Sequence, residues 1–114
     1  MAVAENPVTV VARTADGGAR VLRATGALDD ENAYLLEEAL EEADREGARR
    51  VVLDLSGVSF ADSTVLHVLL RARGRSRRLV LAGPLGSAVG RLFEVTGTRT
   101  AFTFAETVEA ALAL

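Results

Sequence analysis

The chain has no cysteine, lysine, isoleucine or tryptophan, and a single histidine, His67, in 114 residues. The missing cysteines exclude disulfides, thiolate chemistry and cysteine-based zinc sites, and they suit a reducing cytoplasm. One histidine leaves only a carboxylate-rich metal site conceivable, and no metal or other cofactor is expected. All 13 basic residues are arginine. With isoleucine also absent, this reads as the codon bias of a GC-rich genome rather than as arginine chemistry. The opening residues Met1-Ala2-Val3-Ala4-Glu5-Asn6-Pro7 lack the basic start and long apolar run of a signal peptide. No apolar run approaches the length of a membrane span. A cytoplasmic protein without membrane insertion is the expectation.

What is present suffices for a core. Hydrophobic residues make up 49% of the chain, and the length supports one core without staples, so a single domain over residues 1–114, ordered from about 7 to 113, is expected. The net charge of -3 gives no general affinity for nucleic acid. The charges are unevenly spread. Between Asp29 and Glu46 the acids are opposed only by Arg45, whereas Arg71, Arg73, Arg75, Arg77 and Arg78 form a run with no acid. Such runs are ordinarily a solvated helix face and a basic loop. The sharper reading is a surface steered towards a charged protein partner.

Val8 to Ala12 and Ala19 to Thr25 are β-branched or alternating stretches around Asp16-Gly17-Gly18, which predicts a hairpin. A helix is predicted from about Glu31 to Glu46, with Leu35, Leu36, Ala39, Leu40 and Ala43 at helical spacing and Gly47 as its stop. Val51 to Leu55 is a strand apolar on both faces except at Asp54, as suits the middle of a partly parallel sheet. A helix from about Thr64 to Arg73 ends at Gly74, and Leu79 to Ala82 is a second buried strand closed by Gly83-Pro84. Ser87 to Val95 is a third helix, Ala101 to Phe104 the last strand, and Glu106 to Leu112 a short closing helix. The order ββαβαβαβα predicts a single α/β domain with a mixed, mainly parallel sheet.

Four local patterns stand out. Gly26-Ala27-Leu28-Asp29 leads into the first long helix, and Val51-Val52-Leu53-Asp54-Leu55 is followed by Val58-Ser59-Phe60. Asp62-Ser63-Thr64 opens the second helix, and the third runs Ser87-Ala88-Val89-Gly90-Arg91-Leu92-Phe93-Glu94-Val95-Thr96 into Gly97. In this order and at these separations, from about Val8 to Leu112, they resemble the STAS domain family of bacterial anti-sigma factor antagonists. The resemblance implies a binding protein without enzymatic activity. Such a protein engages an ATP-binding anti-sigma factor serine kinase, so that a sigma factor is released, and is switched off when that kinase phosphorylates it. A serine phosphatase would reset the cycle. It implies Ser63 as the acceptor, and Asp29, Phe60, Asp62, Ser63, Thr64, Val65 and His67 as the partner-facing set. The family pattern continues Asp-Ser-Ser/Thr-Gly-Leu-Gly, whereas Val65 and His67 here replace both glycines. Val65 puts a stiff branched side chain where glycine permits close approach.

Each residue also has a plainer reading. Capping alone accounts for Ser63; the resemblance tips the reading to acceptor, with the unmodified residue capping in either case. Asp62 caps the helix or orients the acceptor, Asp29 caps the acidic helix or contacts the partner, and Thr64 starts a helix. His67 lies four residues after Ser63 on the same side of a helix. A hydrolase triad fails, because an adjacent Asp-Ser cannot set the acid behind the imidazole. His67 is therefore an exposed helix residue or a contact to phosphate or partner. Residues 83–87 lack the Gly-Lys-Ser/Thr of a phosphate-binding loop and read as a tight turn. The arginine run has no stacking aromatics, so no direct nucleic-acid contact is expected. The alternative function is a STAS binding subunit of a larger regulatory or lipid-transport assembly that never carries phosphate. A nucleotide-binding regulator is a more distant third.

Overall fold

Alternation along the second strand sets the two faces of the sheet. Val21 points to one side and meets Val52 and Val80 in register, while Leu22 points to the other and meets Leu53 and Leu81. Residues 7–75 and 78–114 are described by the structure, a computed structural model; the expectations for residues 1–6 and the Arg77 member of the basic run lie outside them. Strands β1 (Thr9–Ala15) and β2 (Ala19–Leu28) form the antiparallel hairpin, turned by Asp16–Gly18 with Gly17 at φ 75°. β3 (Arg50–Ala61), β4 (Leu79–Ala82) and β5 (Thr103–Ala105) add in parallel, in the spatial order β1-β2-β3-β4-β5. The helices are α1 (Ala33–Arg45), α2 (Ser63–Arg75), α3 (Ser87–Thr96) and α4 (Val108–Leu112). The order is the expected ββαβαβαβα.

Helices α1 to α3 cover the leucine face. Leu36 and Leu40 of α1, Val65 and Leu69 of α2, and Val89 and Phe93 of α3 close on Leu22, Leu53 and Leu81. Phe93 is fully buried and meets Phe102 and Phe104 edge-on, with ring centroids 5.5 and 5.1 Å apart. Burial of this kind stabilises by about 1.5–3 kcal/mol per large side chain. The valine face is covered by the short α4, whose Ala111 is buried against Val21, Val52, Val80 and Ala82.

Several boundaries differ from expectation: β5 starts at Thr103 because Arg99–Ala101 is a 3-10 turn, α4 starts at Val108 because Thr107 caps it, and three more have physical reasons of their own. β3 does not stop at Leu55 but runs on to Ala61, because β2 also continues and pairs with it as far as Leu28↔Ala61. The extension holds two irregularities, and its close approach depends on Gly57, where a Cβ would stand 2.9 Å from Thr25 Cγ2. Gly74 lies inside α2, which ends at Arg75; its φ is not left-handed, so nothing there forces a stop. α1 begins at Ala33, two residues late, because a turn over Asp29 precedes it. Gly47 and Gly97 do end their helices with φ of 71° and 68°.

Candidate functional site

β2 and β3 run parallel and end in register at Leu28 and Ala61, so Asp29 and Asp62 leave the sheet from neighbouring positions. This brings together the two sequence-distant segments expected to face a partner.

The Asp29 turn is tightly specified. Asp29 Oδ1 accepts the Glu31 N–H at 2.9 Å, Asn32 Oδ1 accepts the Asp29 N–H at 2.9 Å, and Asn32 Nδ2 donates to the Ala27 carbonyl at 3.0 Å. Asp29 thus forms a side-chain turn ahead of the helix, and the N-cap position belongs to Asn32. Asn32 escaped the sequence reading, although an asparagine just before an apolar helical run is itself a start signal.

At α2 the capping assignment changes. Asp62 Oδ1 accepts the Val65 N–H at 3.2 Å and the Asp62 carbonyl accepts the Leu66 N–H at 3.2 Å, so Asp62 is the N-cap. Ser63 is the first helical residue rather than the cap expected for it. Its side chain is exposed, and its hydroxyl makes no hydrogen bond among the described residues. Thr64 is half-buried. Val65 is only 1% exposed and packs in the core, which corrects its place in the partner-facing set: its side chain cannot touch a partner. His67 is exposed, one turn beyond Ser63, and the Asp62 carboxylate serves the Val65 N–H instead of backing the imidazole. Phe60, at the end of β3, is 47% exposed.

The surroundings are acidic and carry one aromatic that the sequence did not flag. Tyr34, in the first turn of α1, is 57% exposed. Arg71 of α2 grips Glu37 of α1 through Nε at 3.1 Å and Nη2 at 2.7 Å, tying the two helices together. Further along α1, Arg45 bonds Glu42, and this contact raises the guanidinium above its ordinary range. Asp54 is a buried acid elsewhere; its Oδ1 accepts both the Ser56 N–H at 2.9 Å and the Ser56 hydroxyl at 2.7 Å.

Residues 83–87 form the expected turn, and they border an open cleft of about 970 Å³ that also involves Arg91, Arg99 and Thr107. None of Asp29, Phe60, Asp62, Ser63 or His67 lines it. Among the described residues no group of three or more His, Asp or Glu side chains is placed to hold a metal, and no helix is long and apolar enough to cross a membrane.

Comparisons with known proteins agree with this fold. The STAS domain pattern matches residues 10–111. An anti-sigma-B factor antagonist of Staphylococcus aureus is 32% identical over 77 residues, covering 65% of this chain and 71% of that protein. The crystal structure of an anti-sigma factor antagonist from Mycobacterium paratuberculosis superposes with a TM-score of 0.85 at 25% identity, covering 94% of this chain and 92% of the other. The unphosphorylated form of the anti-sigma factor antagonist SpoIIAA shares the fold, with a TM-score of 0.73 at 20% identity over 90% of this chain and 92% of its own.

Proposed function

The chain belongs to the STAS domain family, and from that premise we propose that it is an anti-sigma factor antagonist switched by phosphorylation of Ser63. The observation that carries the reading is the division of labour at the start of α2. Asp62 does the capping, so the Ser63 hydroxyl is exposed and uncommitted on a helix end anchored in the core by Val65 and Leu66. The relatives are themselves anti-sigma factor antagonists, and SpoIIAA, which shares the fold, is known in unphosphorylated and phosphorylated forms.

The partner is an ATP-binding anti-sigma serine kinase. Phe60 and Tyr34 supply apolar contact, Asp29 and Asp62 flank the acceptor, and the acidic side of α1 favours a partner with a basic rim. The domain contributes no catalytic group; base and nucleotide belong to the kinase. Phosphate on Ser63 adds roughly 1.5–2 negative charges at a helix N-terminus, where negative charge is tolerated, so the domain stays folded. The interface formed without that phosphate does not survive it, and a serine phosphatase restores the binding form.

Incubating the domain with ATP and the candidate anti-sigma kinases of its own genome, then mapping phosphate by mass spectrometry, tests the proposal. Phosphate on Ser63, with binding retained by Ser63→Ala and lost by Ser63→Asp, is the expected result. A domain that binds none of these kinases is instead a STAS binding subunit of a larger assembly.

A further inference from the structure

The first two turns of α2 present Ser63 and His67 to solvent, four residues apart, with the side chains between them directed partly or wholly inward. Residues at this spacing on a helix have Cβ atoms about 5–6 Å apart. A long helical side chain leans towards the helix N-terminus and covers the preceding turn. The imidazole of His67 can therefore cover the turn that begins at Ser63. We propose that His67 is the intramolecular binding group for a phosphate on Ser63, so that phosphoserine folds back along α2 onto the imidazole. This rests on Ser63 being the acceptor.

The other groups around this stretch of α2 point to His67 in particular. Asp62 stands just before the acceptor, repels a phosphate, and already occupies the Val65 N–H. Asp29, at the neighbouring strand end, adds to the repulsion. Arg71 lies eight residues from Ser63, roughly 12 Å along the axis, and both its Nε and Nη2 are engaged by Glu37 of α1. Tyr34 of α1 carries no charge to offer, though its hydroxyl is a donor. His67 is left as the one side-chain nitrogen donor within a turn of Ser63 along α2 that no hydrogen bond occupies among the described residues, beside the backbone N–H groups of the helix start that every variant shares. An imidazole N–H donates to a phosphate oxygen whether the ring is neutral or protonated, and a protonated ring adds charge pairing. By holding the phosphate along the helix, His67 offsets part of the repulsion from Asp62 and Asp29.

Phosphoserine installed at position 63 during translation makes the test independent of any kinase. The second ionisation of the phosphate is followed by its ³¹P resonance against pH in the otherwise unchanged domain, in His67→Gln and in His67→Arg. A donor or cation beside the phosphate favours the dianion, so the midpoint of the unchanged domain is expected to lie lower than that of His67→Gln, by about half a unit. His67→Arg restores or deepens that lowering. Because Asp62 and Asp29 are present in all three proteins, their repulsion cancels in the comparison. His67 is exposed, so the variants keep the fold. Coincident midpoints for the unchanged domain and His67→Gln would overturn the proposal. If the midpoints separate but no kinase modifies Ser63, the phosphate site stands and it is the switch that fails.

Discussion

Replacing Asp62 with alanine should weaken the domain, while replacing Ser63 with alanine should not. Asp62→Ala removes the acceptor of the Val65 N–H, 3.2 Å away, and leaves that donor unpaired. Loss of an N-cap costs about 1 kcal/mol, and loss of a carboxylate from the positive end of a helix dipole a further ~0.5 kcal/mol at a half-exposed position. The total is about 1.5 kcal/mol. Asp62→Asn keeps an acceptor oxygen and loses only the charge, so it should cost about 0.5 kcal/mol. Ser63→Ala removes a hydroxyl that bonds nothing among the described residues and introduces a better helix former, so its effect is about zero or slightly stabilising. Urea titrations followed by circular dichroism give the comparison directly. With a slope near 1.5 kcal/mol per molar for a domain of this size, Asp62→Ala should lower the midpoint by about 1 M at unchanged slope. A Ser63→Ala protein that loses as much as Asp62→Ala would return the cap to Ser63. The argument that its hydroxyl is uncommitted would then collapse.

Three further substitutions probe the frame around the site. Val65→Gly, which brings the chain closer to the related motif, should cost about 3 kcal/mol in denaturant unfolding, since it empties a core position only 1% exposed; an unchanged stability would contradict the burial. Gly57→Ala should destabilise by about 1–3 kcal/mol, because its Cβ would stand 2.9 Å from Thr25 Cγ2 and 3.3 Å from the Ala24 carbonyl oxygen. Its amide NMR shifts should move through Phe60 to Ser63, and shifts confined to residue 57 would argue against a shared β2–β3 frame. Gly90→Ala, in the interior of α3 with nothing within 4 Å of the added Cβ, should stabilise the domain by about 0.5–1 kcal/mol in a thermal or urea melt; a loss of stability would mean that the helix needs the glycine.

The elements were legible where one periodicity dominated. The apolar run of β3 and the helical spacing of α1 and α3 each pointed to a single structure, and Gly47 and Gly97 fixed two helix ends. The sequence misled where a tertiary partner decided. The extension of β3 through Ser59 and Phe60 carries no strand alternation of its own and exists because β2 runs beside it. Gly74 resembled a stop, but only a left-handed φ makes glycine one, and α2 continues through it. The Asp62-Ser63-Thr64 motif located the site, yet neighbouring residues that can all cap left open which one does. The same ambiguity hid the burial of Val65. Once the cap is Asp62, Val65 falls at the third helical position, which turns into the core with Leu66, whereas Ser63 and His67 turn out.

That rotation also accounts for how the proposed modification would end a contact without a change of fold. Ser63 sits on a turn whose inward residues, Val65 and Leu66, are locked between α1 and the sheet, so a phosphate on its outward oxygen displaces nothing in the core. What it alters is the surface potential. Charge arrives within the screening length of about 8 Å of Asp62, and Asp29 leaves the sheet at the neighbouring strand end. In the proposed phosphoryl transfer, the kinase would bring the γ-phosphate of its nucleotide into line with the Ser63 oxygen. After transfer, that same approach sets a phosphoserine against a nucleotide diphosphate and two flanking carboxylates. On that reading, the geometry that permits the reaction is one that electrostatics disfavours for its product. On the proposed function, release follows from electrostatics at a fixed backbone, and the free phosphorylated domain is expected to keep the structure of the unmodified one.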